Sequence, residues 1–137
     1  MKLLNGSGFR RLESAMNAAE LRQKVVSNNI ANNDTPYYKR SEVLFEEMLG
    51  QAMSNQTDGQ LALKRTDARH IGNGGTGDIP QSIVRTDEHT VMNNNVNNVD
   101  IDREMALLAK NQLRYNAFID LVNHDVRMMR TGIDGRG

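Results

Sequence analysis

The sequence contains no cysteine, no tryptophan and only two prolines, and aromatic residues make up 4% of it. Without cysteine, a disulfide framework, a thiolate nucleophile and a cysteine-type zinc site are excluded. The scarcity of aromatics and a mean hydropathy of -0.62 leave little material for a large globular core in 137 residues. A compact enzyme is therefore disfavoured, and packing is expected to rest on Leu, Ile, Val, Met and Ala.

Net charge is also missing, because 17 basic and 17 acidic residues cancel. No basic field exists to attract a nucleic acid or an anionic membrane surface, so neither is predicted as a partner. No apolar run approaches membrane-spanning length. Residues 1–6 also lack the apolar stretch of ~7 to 15 residues typical of a secretory signal. If the protein works outside the cytoplasm, the sequence predicts another export route.

Heptad patterns are present at both ends of the chain. Apolar residues alternate in steps of three and four, which predicts amphipathic helices over residues 9–33 and 101–131. The N-terminal seam comprises Phe9, Leu12, Met16, Ala19, Gln23, Val26 and Ile30. The C-terminal seam comprises Ile101, Met105, Leu108, Gln112, Tyr115, Ile119, Val122, Val126 and Met129. Asp100 is predicted to cap the second helix, and Gly132 with Ile133 to end it in a Schellman motif.

The middle of the chain is irregular and rich in Gly, Asn and Thr. A short helical segment is predicted from near Glu42, fading between Met48 and Ala52. At most a small β-hairpin is expected, with candidate strands at residues 61–63, 83–84 and 91–92. The asparagines between positions 93 and 98 are interpreted as a flexible connector. The predicted fold is mainly α, divided into an N-terminal core helix (1–35), a middle insert (36–99) and a C-terminal core helix (100–137).

Narrow apolar seams bury little alone, so each predicts a partner helix in the same chain or in a neighbouring subunit. If the two helices pair within the chain, they run antiparallel, with Asn33 near residues 102–105 and Gln23 opposite residues 112–115. Gln23 and Gln112 would then share a layer and fix the register, unless each faces solvent or a neighbour. A self-contained helical hairpin that presents its middle loop to one partner, acting as a binding adaptor, stays an alternative.

The segment from Ser27 to Lys39, SNNIANNDTPYYK, resembles the signature of the bacterial flagellar axial proteins. The matching residues are Asn28, Asn29, Ile30, Ala31, Asn32, Thr35 and Pro36. A second block, residues 98–105 with 111–115, is similar to the C-terminal helix of the proximal rod subunits in the basal-body rod protein family. Read physically, four asparagines near a helix end satisfy helix-end carbonyls or bridge to a neighbouring subunit. Plain helix termination is the alternative, but Ile30 continues the seam and the small Ala31 permits close backbone approach, which favours packing.

The resemblance implies a structural subunit of the basal body that self-assembles by helical packing into a tubular axial structure needed for motility. The partners it implies are other rod subunits, membrane-ring and rod-base adaptor proteins, and the flagellar type III export apparatus. The family often has Gly after Thr-Pro, where this chain has Tyr37. Tyr resists positive φ, so a type I turn around Pro36 and Tyr37 is expected instead of a type II turn.

Catalytic and cofactor motifs are nearly absent. A faint repeat brings Asp67, His70, Asp87 and His89 into consideration as metal ligands, but no supporting spacing accompanies them. The glycine-rich run at residues 72–77 lacks the following Lys-Ser/Thr of a P-loop. No metal, cofactor or enzymatic reaction is therefore predicted.

Overall fold

The computed structural model describes residues 6–57, 79–92 and 95–135. In these ranges it has three helices, α1 (Ser7–Ala31), α2 (Glu46–Thr57) and α3 (Ile101–Asp134), and two strands, β1 (Ser41–Leu44) and β2 (Ile83–Thr86). The two longest helices, α1 and α3, pack against each other. The predicted class, mainly α with long terminal helices and a small β unit, is confirmed.

The pairing of α1 with α3 is antiparallel. Asn29, near the end of α1, contacts Glu104 near the start of α3, whereas Ala19 contacts Asn111 further along α3. This register differs by about one helical turn from the predicted one, which placed Asn33 beside residues 102–105. The side chains that fix the observed register are polar, whereas the prediction used only the spacing of apolar residues.

Helix α3 starts as predicted and ends later. The Asp100 side chain accepts hydrogen bonds from the backbone N–H groups of Asp102 and Arg103 at 3.1 and 3.2 Å. The expected stop at Gly132 is wrong, because α3 continues to Asp134. Gly135 takes the left-handed conformation instead, with φ of 61°, and its N–H bonds to Thr131 O at 3.0 Å. A glycine three residues beyond the predicted one serves equally well as the terminator.

Strands β1 and β2 form an antiparallel two-stranded sheet in which Val43 pairs with Val84. The strand at residues 83–84 was predicted. The predicted helical segment is present as α2, but it begins at Glu46 instead of Glu42, because β1 occupies residues 41–44. It continues to Thr57 and does not fade between Met48 and Ala52. Residues 91–92 lie outside the strands, and residues 61–63 lie outside the described residues.

The interior of the described residues is unusually polar. Its buried apolar residues are Ala18, Ala19, Val26, Val43, Phe45 and Val99. Its buried polar residues are equally many: Asn29, Arg40, Asn97, Asn98, Glu104 and Asn111. Because buried polar groups must be hydrogen-bonded, this interior is expected to specify geometry more than it adds stability. None of the described helices is long and apolar enough to cross a membrane.

The predicted seams coincide only in part with the contact between α1 and α3. Leu12, Ala19 and Val26 are buried or half-buried on α1, as are Leu108, Tyr115, Val122 and Met129 on α3. Gln23, Met105 and Gln112 are exposed, and Ile119 is 37% exposed. As intramolecular seam positions these four were wrong, because the preceding residue on each helix turns inward. Asn29, Glu104 and Asn111 hold that inner line and are hidden from any search for apolar spacing.

Candidate assembly site: a polar junction between the two long helices

The signature segment lies where α1 ends and the chain turns towards β1. Asn29 is fully buried, Ile30 and Asn32 are half-buried, and Asn28 and Ala31 are exposed. Thr35 and Pro36 are exposed in the turn. We call the buried set Asn29, Arg40, Asn97, Asn98 and Glu104 the polar junction. It joins the end of α1, the start of β1 and the start of α3.

Asn29 uses both ends of its amide inside the junction. Its Nδ2 donates to Glu104 Oε2 at 2.9 Å and to Ser41 O at 2.8 Å. Its Oδ1 accepts from Ser41 N at 3.0 Å and from the Tyr38 hydroxyl at 3.3 Å. An amide offers two donors and one oxygen with two lone pairs, so Asn29 is fully satisfied. One side chain thus ties α1 to β1 and to α3.

Glu104 is 0% exposed and meets a buried cation. Its Oε1 accepts a hydrogen bond from Arg40 Nε at 3.1 Å and lies 3.0 Å from Arg40 Nη2, so two guanidinium nitrogens lie close to one carboxylate oxygen. Arg40 also contacts Glu42 Oε2 at 3.3 Å. Buried ion pairs add little net stability, but removing one partner leaves an uncompensated charge. The pair therefore acts mainly as a geometric constraint between the β1 segment and α3.

Two groups at the margin of the junction have shifted pKa values. Burial, with the nearby Glu104 charge as a second cause, raises the pKa of the Tyr38 hydroxyl. The hydrogen bond from Arg85 lowers the pKa of Glu42, aided by Arg40 and opposed by partial burial. Both shifts favour the protonation states that these groups have near neutral pH. Near neutral pH the Tyr38 hydroxyl is therefore protonated and the Glu42 carboxyl ionised.

Asn97 caps the end of α1 from a distant part of the chain. It is 0% exposed, and its Nδ2 lies 2.9 Å from Asn32 O, 2.9 Å from Asn33 O and 2.8 Å from Thr35 O. Its Oδ1 accepts from Val99 N at 2.7 Å. Asn32 is the C-cap of α1, and Asn33 and Thr35 lie in the turn that follows it. A single amide therefore holds this turn against the helix end.

Asn98 connects the same region to the sheet. Its Oδ1 accepts from Arg40 N at 2.6 Å, and its Nδ2 donates to Asp87 O at 2.8 Å and to Thr90 Oγ1 at 2.9 Å. The interpretation of the asparagine tract as a flexible connector is therefore wrong for Asn97 and Asn98. Composition could not separate a solvated asparagine run from one whose amides each satisfy backbone groups.

The turn after α1 differs from the expectation. Tyr38 N donates to Thr35 O at 3.3 Å, which closes a turn with Pro36 and Tyr37 in the central positions. Tyr37 has φ of 62°, so the turn has the positive φ of type II at its third position, and the type I expectation is wrong. The Tyr37 N–H donates to Asn95 O at 3.0 Å. This bond to the neighbouring loop helps to hold a conformation that tyrosine otherwise resists.

Further along the helix pair, three polar contacts take the place of the predicted pairing of Gln23 with Gln112. Asn111 is 2% exposed and donates through Nδ2 to Ala19 O at 2.8 Å. Glu46, at the start of α2, contacts Arg22 of α1 and Arg114 of α3, the latter at 2.9 Å. These contacts fix the positions of α1, α2 and α3 relative to one another, although little apolar surface is buried between them.

Within the part of the chain that the structure describes, no group of three or more His, Cys, Asp or Glu side chains could hold a metal ion. Asp67 and His70 lie outside that part. Asp87 Oδ1 accepts from the backbone N–H groups of His89 and Thr90, each at 3.2 Å.

The sequence was compared with protein families and with characterised proteins. A family profile described as "Flagella basal body rod protein" matches residues 5–39. A flagellar basal body rod protein FlgB of Bacillus subtilis is 39% identical over 135 residues, which is 98% of each chain. FlgB of Borreliella burgdorferi is 38% identical over 80% of this chain and 82% of its own. FlgB of Proteus mirabilis is 31% identical over 88% and 89%.

These relatives are named as rod proteins, and none of the three names describes an enzyme. The profile match covers α1 and the following turn up to Lys39, and so includes Asn29. The match to the Bacillus subtilis protein extends over the whole helix pair. The chain belongs to the family of flagellar basal-body rod proteins that includes FlgB.

Proposed function

We propose that the chain is a structural subunit of the proximal rod of the flagellar basal body, and that it assembles by helical packing with other rod subunits and with itself. The observation that carries this is the polar junction, in which the family's signature residue Asn29 is bonded to α3 through Glu104. A role in setting the geometry of a helix pair suits an architectural subunit. It needs no cofactor and no reaction.

On this proposal the chain works outside the cytoplasm, exported by the flagellar type III apparatus without a cleaved signal peptide. Residues 1–35 and 100–137 form the core layer of the tube, and residues 36–99 form an outer projection. Neighbouring partners are other rod subunits, membrane-ring proteins and rod-base adaptor proteins. The resemblance of the signature segment and the naming of the relatives as basal-body rod proteins support this assignment.

The test is to delete the gene and image purified basal bodies by electron microscopy. Basal bodies without the chain should lack a complete rod, cells should be non-motile, and expression of the wild-type chain should restore both. Complete rods in the deletion strain would contradict the proposal. Detection of the tagged chain in purified wild-type basal bodies provides an independent measurement of location.

The binding-adaptor alternative is distinguished by concentration. A subunit that completes its packing only on assembly should gain helix as it associates, whereas an adaptor hairpin should not. Circular dichroism across a dilution series measures this. A dilute, strictly monomeric sample with full helicity would favour the adaptor.

A further inference from the structure

The ladder between β1 and β2 stops one residue pair before the two chains separate. Its last pair is Ser41 with Thr86. The next two residues, Arg40 and Asp87, still face each other, because Asp87 N donates to Arg40 O at 2.9 Å. In an antiparallel ladder, residues that face each other in this way normally exchange two hydrogen bonds, one in each direction. Here the return bond is replaced, because Arg40 N donates to a different group.

The alternation of backbone groups along β1 shows that this return bond belongs to the ladder. Ser41 N and Ser41 O point to the outer edge of β1, where they pair with the Asn29 amide at 3.0 and 2.8 Å. Successive residues of a strand turn their N–H and C=O groups to opposite edges, so those of Arg40 point towards β2. Arg40 N and Asp87 O are therefore the two atoms that the next rung of the ladder would join.

The side-chain amide of Asn98 lies between these two atoms. Its Oδ1 accepts from Arg40 N at 2.6 Å, and its Nδ2 donates to Asp87 O at 2.8 Å. The same Nδ2 also donates to Thr90 Oγ1 at 2.9 Å. Asn98 is only 4% exposed, so these bonds are shielded from solvent. One side chain thus satisfies both backbone groups of the missing rung and keeps them apart.

The residues at this end of the ladder do not stop it by themselves. Neither residues 39–40 nor residues 87–88 include proline or glycine, which commonly interrupt strands. The Asp87 side chain accepts from the N–H groups two and three residues later, and this turn explains why pairing does not continue beyond Asp87. It leaves the rung between Arg40 and Asp87 possible, so a residue outside the two strands is needed to prevent it.

We propose that Asn98 is a positioning residue that ends the β1/β2 ladder and so sets the direction in which the middle insert leaves the helix pair. Asn98 lies two residues before Asp100, the N-cap of α3, so its bonds tie the start of α3 to both strands. Asn29 ties α1 to Ser41 in the same manner. This end of the sheet is thus held by two amides, one in α1 and one next to α3. The inference rests on the proposed function, in which the insert is the outer projection of the subunit.

The test is nuclear magnetic resonance of the purified full chain, using couplings transmitted across hydrogen bonds. In wild type, the backbone nitrogen of Arg40 should couple to the side-chain carbonyl carbon of Asn98. In Asn98→Ala, the freed Arg40 N–H should bond directly to Asp87 O, and the coupling should move to the Asp87 carbonyl carbon. In Asn98→Asp, the carboxylate still accepts from the Arg40 N–H, so the coupling to Asp87 should stay absent.

A distance measurement reports the direction of the insert. The chain has no cysteine, so spin labels can be attached through Ile83→Cys on β2 and Leu113→Cys on α3, both at exposed positions. Electron–electron double resonance of this labelled chain should give one narrow distance. Adding Asn98→Ala should shift the distance and keep it narrow. Adding Asn116→Ala, the matched control at an exposed position of α3, should leave it unchanged.

The inference is overturned if Arg40 in wild type couples to Asp87 and not to Asn98, or if Asn98→Ala leaves the Arg40 N–H without a partner. It is also overturned if the distance is unchanged or only broadens, because Asn98 would then stabilise the sheet without directing it. If Asn98→Ala does not fold, a coupling of Arg40 to Asp87 in Asn98→Asp overturns the proposal, and its absence supports it. Both measurements use the purified chain, so this inference can fail while the rod assignment, tested in basal bodies, stands.

Discussion

The two ends of the α1/α3 pair are built differently. At the junction end, Asn29, Asn97 and Glu104 are fully buried, and each has several hydrogen bonds. Towards the other end, Val126 and Met128 of α3 are exposed by 49% and 60%. The junction end is closed by polar contacts within one chain, whereas α3 carries exposed apolar side chains towards the other end.

The two ends show that the contacts which define the register of the helices differ from the apolar contacts that would stabilise the pair. Heptad-spaced apolar seams can slide by seven residues with little change in burial, so they define a register poorly. The contacts of Asn29 with Glu104 and of Asn111 with Ala19 O allow only one register. The polar contacts, more than apolar burial, therefore define how α3 is oriented against α1.

Among the substitutions at the junction, Glu104→Ala is expected to lower the free energy of unfolding most. It leaves the buried Arg40 guanidinium and the Asn29 amide without their partner, and breaking a buried pair in this way costs about 3 to 5 kcal/mol. Urea denaturation followed by circular dichroism measures the free energy of unfolding. Arg103→Ala, at the exposed neighbouring position, should change it by less than about 0.5 kcal/mol. Equal effects for the two variants would show that the junction has no special role.

Asn97→Ala should have the next largest effect, confined to the end of α1. It removes the donors to the carbonyls of Asn32, Asn33 and Thr35, which should cost about 1 to 3 kcal/mol. Hydrogen exchange should accelerate across residues 30–35 and much less across residues 10–20. Asn28→Ala is the control, since the Asn28 side chain is exposed. Uniform acceleration along α1 would mean that Asn97 stabilises the whole fold and not this helix end.

The sequence predicted the two long helices, the Asp100 cap, the strand at residues 83–84 and the family signature, because apolar spacing and capping chemistry are local signals. It did not predict the inward line of Asn29, Glu104 and Asn111. A search for apolar positions shifts the seam by one residue when the true interior is polar. The role of Asn97 depends on a contact 65 positions away in sequence, with Asn32, and no local pattern encodes that.

Tyr37→Gly should act in the opposite direction. Tyr37 is 75% exposed and has φ of 62°, so glycine removes backbone strain while little side-chain burial is lost. The free energy of unfolding should rise by about 1 kcal/mol, less any gain in entropy of the unfolded chain. Tyr37→Ala retains the strain and should not stabilise the fold. If both variants are equally stable, the left-handed conformation of Tyr37 carries no measurable strain.

The smallest expected effect is a pH dependence at the margin of the junction. The hydrogen bond from Arg85 lowers the pKa of Glu42 below its ordinary value of 4.5, with help from Arg40 and against partial burial. A carboxyl whose folded pKa is depressed contributes stability that is fully present above the unfolded pKa and is lost as pH falls through the folded one. The free energy of unfolding should therefore decrease from about pH 4.5 downward.

Glu42→Gln should flatten this decrease, since glutamine has no charge to lose over the same range. The difference between wild type and variant is expected to shrink by less than about 1 kcal/mol between pH 6 and pH 3.5, as is usual for a partly exposed ion pair. Urea denaturation at several pH values measures it, and Asp120→Asn, on an exposed position of α3, serves as the matched control. Parallel curves for wild type and Glu42→Gln would show that the contact with Arg85 does not stabilise the folded state, and the junction would then end at Arg40.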